Sequence, residues 1–244
     1  MALTKIGKEG ITGISNSSDA NAITISSGEQ VTIAGATTLV GSVTHGTDSG
    51  DTRFSVNSAN QYTMVFKNAG NIAGQIGGGG SDILRFSNAA GATTMEMNAG
   101  QQTLPLQPAF QARPASEQSN LPINAYTQIV FGTEVFDIGS NFASNVFTAP
   151  VAGKYALHLS LRVDNMDIDT TFYDFRIVTS NRDYKFFQGM AQFDADGYSH
   201  AITISCVADM DASDTAQVKV DIPNAGAAQA DVNSNSFFSG MLIG

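Results

Sequence analysis

The clearest hydrophobic pattern in the chain is a strict alternation between Tyr155 and Val163. Its apolar residues are separated by single intervening residues, and this period of two places them on one face of a β-strand. The preceding segment, Phe131 to Tyr155, has aromatic residues at 131, 136, 142, 147 and 155 between Gly, Asn and Pro turn residues, which predicts short strands with the aromatics on one buried face. So many β-branched, Gly and Pro residues argue against a helix.

Shorter apolar runs predict more strands in the C-terminal half. They cover residues 109–112, 172–178, 184–187, 200–207, 216–222 and 236–243. Turn-forming residues separate the runs, as in an all-β protein. These strands define a predicted head domain over residues 107–244.

The middle of the chain predicts a second β-rich unit. Apolar residues recur about every ten positions from Phe54 to Met97, with Asn and Gly between them, which is typical of a meander of short strands. We expect the Gly77–Gly80 run to form a tight turn, since no Lys follows it as a phosphate-binding loop requires. Residues 101–108 hold two prolines and are predicted to be a linker. Residues 51–106 are therefore interpreted as a stem module with its linker.

Residues 1–50 have only short and sparse apolar runs. Such segments become stable when several chains pack together, so we interpret residues 1–50 as an N-terminal attachment arm and the start of an oligomeric β-rich stem. The alternative is a disordered polar leader, because low hydrophobicity also favours disorder.

Charge and composition exclude several classes of function. The net charge is −10 at pH 7, which disfavours a basic surface for nucleic acid. No apolar window of 18 residues predicts a transmembrane helix, so we expect no membrane insertion. The N-terminal residues lack the apolar region of a secretory signal peptide, so none is expected. The single Cys206 lies in an apolar run and is interpreted as a buried structural thiol.

The segment from Phe131 to Tyr155 resembles the signature of C1q-like domains, the trimeric jelly rolls shared with the tumour necrosis factor group. The matching residues, with two from the closing strand, are Phe131, Asp137, Phe142, Phe147, Gly153, Tyr155, Phe238 and Gly240. The resemblance implies an all-β fold with a C-terminal C1q/TNF-like jelly-roll β-sandwich, preceded by an elongated trimeric stem, and a homotrimer. The gap between Phe142 and Phe147 is two residues shorter than in the family, which predicts a tighter turn.

The first hundred residues resemble segments of tail-fibre and other virion-appendage proteins of tailed bacteriophages. The similar stretches are the opening MALTKIGKEGITGISNSSDANAITI and the later TMVFKNAGNIAGQIG and DILRFSNAAG. This resemblance implies a fibre-like virion protein, made in the host cytoplasm. Its N-terminal segment would attach to other virion proteins, and its head would contact a glycan or protein of the host surface.

Three other functions stay open at this stage. A capsid head-fibre, decoration or neck protein would have the same structural character without binding a receptor. A glycan depolymerase would need a pair of carboxylates, for which Asp194 with Asp196, or Asp209 with Asp211, are candidates. Asp residues in turns usually cap the backbone instead, so we expect no enzyme. A secreted C1q-like lectin is disfavoured because neither a signal peptide nor a collagen-like repeat is present.

The candidate site residues are polar or aromatic positions expected in loops of the head. Asp164, Asp167 and Asp169 are candidate oxygen ligands for Ca²⁺, but a solvated acidic loop is the preferred interpretation, and no other cofactor is expected. The candidate receptor contacts are Asn165, Arg182, Tyr184 and Tyr198. Either tyrosine can equally be an ordinary half-buried residue.

Overall fold

The computed structural model describes residues 62–79, 83–98, 100–223 and 230–244, in which every regular element is a strand. The predicted arm at residues 1–50 lies outside this part of the chain. Within it, no helix is long and apolar enough to cross a membrane. The strands are β1 (Tyr62–Asn68), β2 (Asn71–Gly79), β3 (Ile83–Asn88), β4 (Thr93–Asn98), β5 (Gln101–Thr103), β6 (Ala109–Arg113), β7 (Thr127–Gln128), β8 (Thr133–Ile138), β9 (Phe142–Ala143), β10 (Val146–Thr148), β11 (Gly153–Met166), β12 (Phe172–Thr179), β13 (Asp183–Gly189), β14 (Gly197–Met210), β15 (Thr215–Asp221), β16 (Asp231–Val232) and β17 (Phe237–Leu242).

Strands β1 to β5 form one antiparallel sheet in sequence order, which we call the meander sheet. It confirms the meander predicted from the spacing of apolar residues. Two local predictions were wrong. Gly77 and Gly78 lie inside β2, because their backbones pair with Arg85 and Leu84 of β3. Residues 101–103 form β5 rather than a linker, since they pair with β4.

Two further sheets form the head. The first sheet has the strand order β14-β11-β17-β6-β8, with β16 beside β11, and the second has the order β13-β12-β15-β10-β9, with β7 beside β15. Neighbouring strands are mostly distant in sequence, so the chain crosses repeatedly between the two sheets. This is the topology of a jelly-roll sandwich. The all-β fold class and the jelly-roll head are confirmed.

The head core lies between the two sheets. All five apolar residues of the alternation in β11 are at most 1% exposed, as the period of two predicts. The ring of Phe110 in β6 is central: its centroid lies 5.0 Å from that of Phe142, 4.6 Å from that of Phe147 and 5.1 Å from that of Phe238. Close aromatic packing of this kind contributes beyond simple burial. Two residues of the signature-like segment, Phe142 and Phe147, thus meet Phe238 of the closing strand in one cluster.

Polar members of that segment hold its turns. Asp137 accepts hydrogen bonds from the backbone N–H groups of Asn141 and Phe142, at 3.0 and 2.9 Å. The hydroxyl of buried Tyr155 donates to the carbonyl oxygen of Val151 at 2.8 Å. These bonds fix the backbone on both sides of β9 and β10.

The turn between β9 and β10 is as short as the sequence predicted. Ser144 and Asn145 alone connect the two strands, and their φ angles are 52° and 67°. Two central residues with positive φ match the right-handed twist of a hairpin, and Asn tolerates that conformation. The shortened gap between Phe142 and Phe147 is therefore a two-residue turn.

One expectation for the aromatic residues of this segment was wrong. Phe136 is 47% exposed, and its neighbour Val135 is 54% exposed. Phe136 pairs with Gln111 of β6, which points away from the core, so Phe136 lies on the outer face of the first sheet. The other four aromatic residues of the segment are buried.

Candidate interaction surfaces

The head has two ends that differ in what they carry. At one end β6 begins at Ala109, which pairs with Met241, and the chain terminates at Gly244, whose carbonyl accepts from Lys154 N–H at 2.5 Å. We call this the linker end. Strand β11 starts there and extends for roughly 40 Å, given about 3.3 Å per residue. It ends at Met166, paired with Gly197. The loops at residues 167–171 and 190–196 therefore lie at the opposite end, the distal end.

The four expected receptor contacts do not form one site. Asn165 and Tyr198 lie at the distal end, in β11 and β14. Arg182 lies in the turn between β12 and β13, where the neighbouring Asn181 donates to the carbonyl of Asp209 at 2.9 Å, which places it at the linker end. Of the four, only Arg182 lies outside a strand, so the expectation that all four are in loops was wrong.

The four side chains also differ in their exposure to solvent and in their hydrogen bonds. Tyr198 is 80% exposed. Tyr184 is half-buried against the core, its hydroxyl lies 3.4 Å from the carbonyl of Val207, and burial raises its pKa above the ordinary value. Asn165 donates to Asp231 and has a φ of 55°. Tyr198 is thus the most accessible aromatic candidate of the set.

The three aspartates considered as Ca²⁺ ligands have separate roles. Asp164 lies within β11 rather than in a loop and is 8% exposed. Its carboxylate accepts from Arg162 Nε at 3.0 Å and from Asn233 Nδ2 at 2.9 Å. Burial by itself raises the pKa of Asp164, but hydrogen bonds from Ser199, Arg162 and Asn233 outweigh it, so the pKa lies below its ordinary value.

The other two aspartates form a local turn. Asp167 Oδ1 accepts a hydrogen bond from the backbone N–H of Asp169 at 3.0 Å. Asp side chains in loops commonly cap the backbone in this way. Within the described ranges, no three His, Cys, Asp or Glu side chains come together as a metal site. The three candidate Ca²⁺ ligands therefore do not come together as a metal site in this part of the chain.

The two carboxylate pairs considered for hydrolysis lie at opposite ends of the head. Asp196, at the distal end, accepts from the backbone N–H of Ile168 at 3.1 Å. Asp209, at the linker end, forms an ion pair with Lys154 at 2.5 Å. Asp211 N–H donates to Asp214 at 2.9 Å, as in a capped turn. These aspartates thus accept hydrogen bonds from the loop backbone or form an exposed ion pair, which are ordinary roles for Asp at such positions.

The outer face of the first sheet holds a groove of about 560 Å³ that the sequence reasoning missed. Cross-strand pairing aligns one row of apolar side chains on this face, which we call the apolar row. It consists of Ile138, Ala109, Met241, Ala156 and Val207. Met241 is 54% exposed and Val207 is 57% exposed. In the sequence, the groove is indicated only by apolar residues at outward positions of β14 and β17. The strand order is needed to show that these residues align.

A second row lies beside it and is mostly polar. It consists of Phe136, Gln111, Ser239, His158 and Ser205. His158 Nδ1 lies 2.6 Å from Ser205 Oγ, and its ring centroid lies 5.5 Å from that of Phe237. Cys206 also lines the groove, and burial raises the pKa of its thiol to about 11. A thiol with so high a pKa is a weak nucleophile, which agrees with a structural role.

The head is similar in fold to several solved structures. One is the globular domain of zebrafish complement 1qA protein, with 16% identity, a TM-score of 0.43, and coverage of 57% of this chain and 98% of that chain. Another is murine APRIL at pH 8.0, with 12% identity, a TM-score of 0.41, and coverage of 56% of this chain and 99% of that chain. No protein-family model matches the sequence. No curated protein matches it.

Proposed function

We propose that this protein is a homotrimeric, tail-fibre-like appendage of a tailed-bacteriophage virion. Its N-terminal segment attaches to other virion proteins, and its jelly-roll head contacts the host surface. The resemblance of the first hundred residues to virion-appendage proteins supports the location on the particle. The attachment segment, residues 1–50, lies outside the described residues.

The observation that carries the proposal is the layout of the head. The chain joins the head at the linker end, whereas the exposed Tyr198 lies at the distal end, roughly 40 Å away along β11. A head held through its linker therefore presents the distal end outward. This is the polarity that an attachment protein requires.

The grooved outer face of the first sheet supports self-association. Met241 and Val207 of its apolar row are more than half exposed in a single chain, and exposed apolar patches often mark a binding surface. The adjacent polar row supplies hydrogen-bonding groups, and such a mixture is typical of interfaces between folded subunits. Three copies would also present three distal ends, so that weak single contacts combine into firm binding.

Two measurements on the full-length protein test the proposal. Sedimentation equilibrium should give a mass of three times 25.5 kDa, and a stable monomer at micromolar concentration would overturn the homotrimer. Labelled antibody on intact virions should mark the tail, and purified protein should compete with virions for host cells. Label on the capsid without competition would favour a decoration protein instead. Release of reducing ends from host polysaccharide would favour a depolymerase.

A further inference from the structure

The meander sheet has two chemically different faces. One face, which we call the meander face, carries seven large apolar side chains: Met64, Phe66, Ile76, Leu84, Phe86, Met95 and Met97. Cross-strand pairing joins Met64, Ile76, Phe86 and Met95 into one row, with Leu84 beside Met97 in the next. Aligned rows of this kind form the apolar surface of a sheet that packs against something.

The opposite face is largely polar. Arg85 Nε and Glu96 Oε2 lie 2.8 Å apart as an ion pair between β3 and β4. Gln75 and Ser87 pair directly beside them. Apart from Val65 beside Gln75 and Ile83 beside Asn98, this side of the sheet is suited to water, whereas the meander face carries most of the large apolar side chains.

None of the meander-face side chains is buried in a single chain. Phe66 is 48% exposed, Met64 47%, Met97 45% and Leu84 40%. A single-layered sheet with an uncovered apolar face does not have a core of its own. The stability of this module therefore depends on what covers the face.

The size of the face limits what that partner is. The four strands that carry the face, β1 to β4, lie about 4.8 Å apart and are about 20 Å long, so they cover roughly 380 Å². A stable interface buries about 800 Å² on each partner, so the meander face is too small to hold a partner firmly by itself. A face of this size can still bind as the second of two contacts with the same partner. The first contact holds the two chains together and so raises the effective concentration of one meander face at the other. The outer face of the first sheet supplies such a first contact.

The face also has the shape for packing against itself. Gly74 and Gly78 lie on it on either side of Ile76, so the sheet surface is low at these two positions. A Cβ placed on Gly74 would meet only the carbonyl oxygen of Ser87, at 3.5 Å. Met and Phe side chains of another copy can fill such hollows, and Met adapts readily to irregular gaps.

We propose that the meander face is a second self-association surface, covered by the same face of other copies of this chain. The inference rests on the proposed self-association and assigns residues 62–103 a direct part in it. Copies held together through the head bring their meander faces together, and the seven apolar side chains form a shared core between chains.

A pair of matched double variants tests this in the full-length protein. Leu84→Lys with Met97→Lys places two charges on the meander face, and Gln75→Lys with Ser87→Lys places two on the polar face. We expect the first variant to weaken self-association at least tenfold in sedimentation equilibrium and the second to change it less than twofold. Equal behaviour of both variants in a protein that still self-associates would overturn the inference but leave the head contact standing. A monomeric wild type would overturn the proposed function itself.

Cross-linking tests the same contact without introducing charged residues that can disturb the folding of the sheet. In a Cys206→Ser background, Met97→Cys treated with a short bifunctional maleimide should give chain-to-chain cross-links, whereas Ser87→Cys should give none. A Met97→Cys protein that self-associates without such cross-links would mean that another segment, such as residues 1–61, covers the face, and would overturn the proposal.

Discussion

Asn165 donates its side-chain amide to Oδ2 of Asp231 at 2.7 Å, across 66 residues of sequence. The other carboxylate oxygen, Oδ1, accepts from the backbone N–H of Asn120 at 2.6 Å. Asp231 is 7% exposed, so water does not readily replace it as an acceptor. One carboxylate therefore ties three segments of the chain together at the distal end of the head.

Replacing that carboxylate should destabilise the head. We expect Asp231→Ala to lower the free energy of unfolding by roughly 2–4 kcal/mol, because two donors lose a charged acceptor in a buried setting. Urea denaturation at a fixed protein concentration measures the change, since self-association also contributes to stability. Asp169→Ala is the control, because Asp169 is exposed, and it should change stability by less than about 0.5 kcal/mol. Similar values for the two variants would contradict the assignment.

Gly240 in β17 lies where the core leaves no space. A Cβ on this residue would lie 2.7 Å from Leu157 Cδ2 and 2.7 Å from Phe110 Cε1. We expect Gly240→Ala to cost about 1–3 kcal/mol, because inserting a methyl group displaces packed side chains. Gly189→Ala is the matched control, since a Cβ there meets nothing within 4 Å. Thermal unfolding should show a lowered midpoint for the first variant alone, and equal midpoints would contradict the tight contact.

Tyr173 should make the head sensitive to alkali. Burial is the main cause that raises its pKa to about 12; the backbone hydrogen bond with Asp167 lowers the pKa, and the charges of Asp167 and Asp196 raise it. The unfolded chain has a pKa near 10, so the folded state favours the neutral phenol. This contribution to stability is complete below pH 10 and is lost as the pH rises through about 12.

The variant Tyr173→Phe separates this effect from other titrations. At pH 7 it should cost about 1–3 kcal/mol, because the hydroxyl accepts from Asp167 N–H at 2.8 Å and donates to Asp167 O at 3.0 Å. Between pH 10 and 12 its unfolding free energy should fall less steeply than that of the wild type. Parallel curves over this range would show that Tyr173 titrates alike in the folded and unfolded protein, which would contradict its raised pKa.

The period of two in the sequence predicted which residues of β11 face the core, and turn residues located most strand boundaries in the head. The same pattern carries no information on strand order. Asn165 and Arg182 are therefore both expected near strand ends, yet the topology places them at opposite ends of the head. Phe136 was expected inside because aromatic residues favour burial, but its register with Gln111 turns it outward. Glycine suggested a turn at Gly77 and Gly78, where pairing with β3 keeps the chain extended.

The position of Tyr198 leads to the sharpest test of attachment. Its side chain is 80% exposed at the distal end, whereas Arg182 is exposed at the linker end. If the distal end contacts the host, Tyr198→Ala should weaken binding of the full-length protein to host cells by roughly tenfold, the loss typical of an exposed aromatic contact residue. Arg182→Ala should bind as the wild type does, and both variants should keep the wild-type mass and melting temperature. Binding measured with fluorescent protein on washed cells decides between them. A loss confined to Arg182→Ala would place the host contact at the linker end and contradict the polarity proposed for the head.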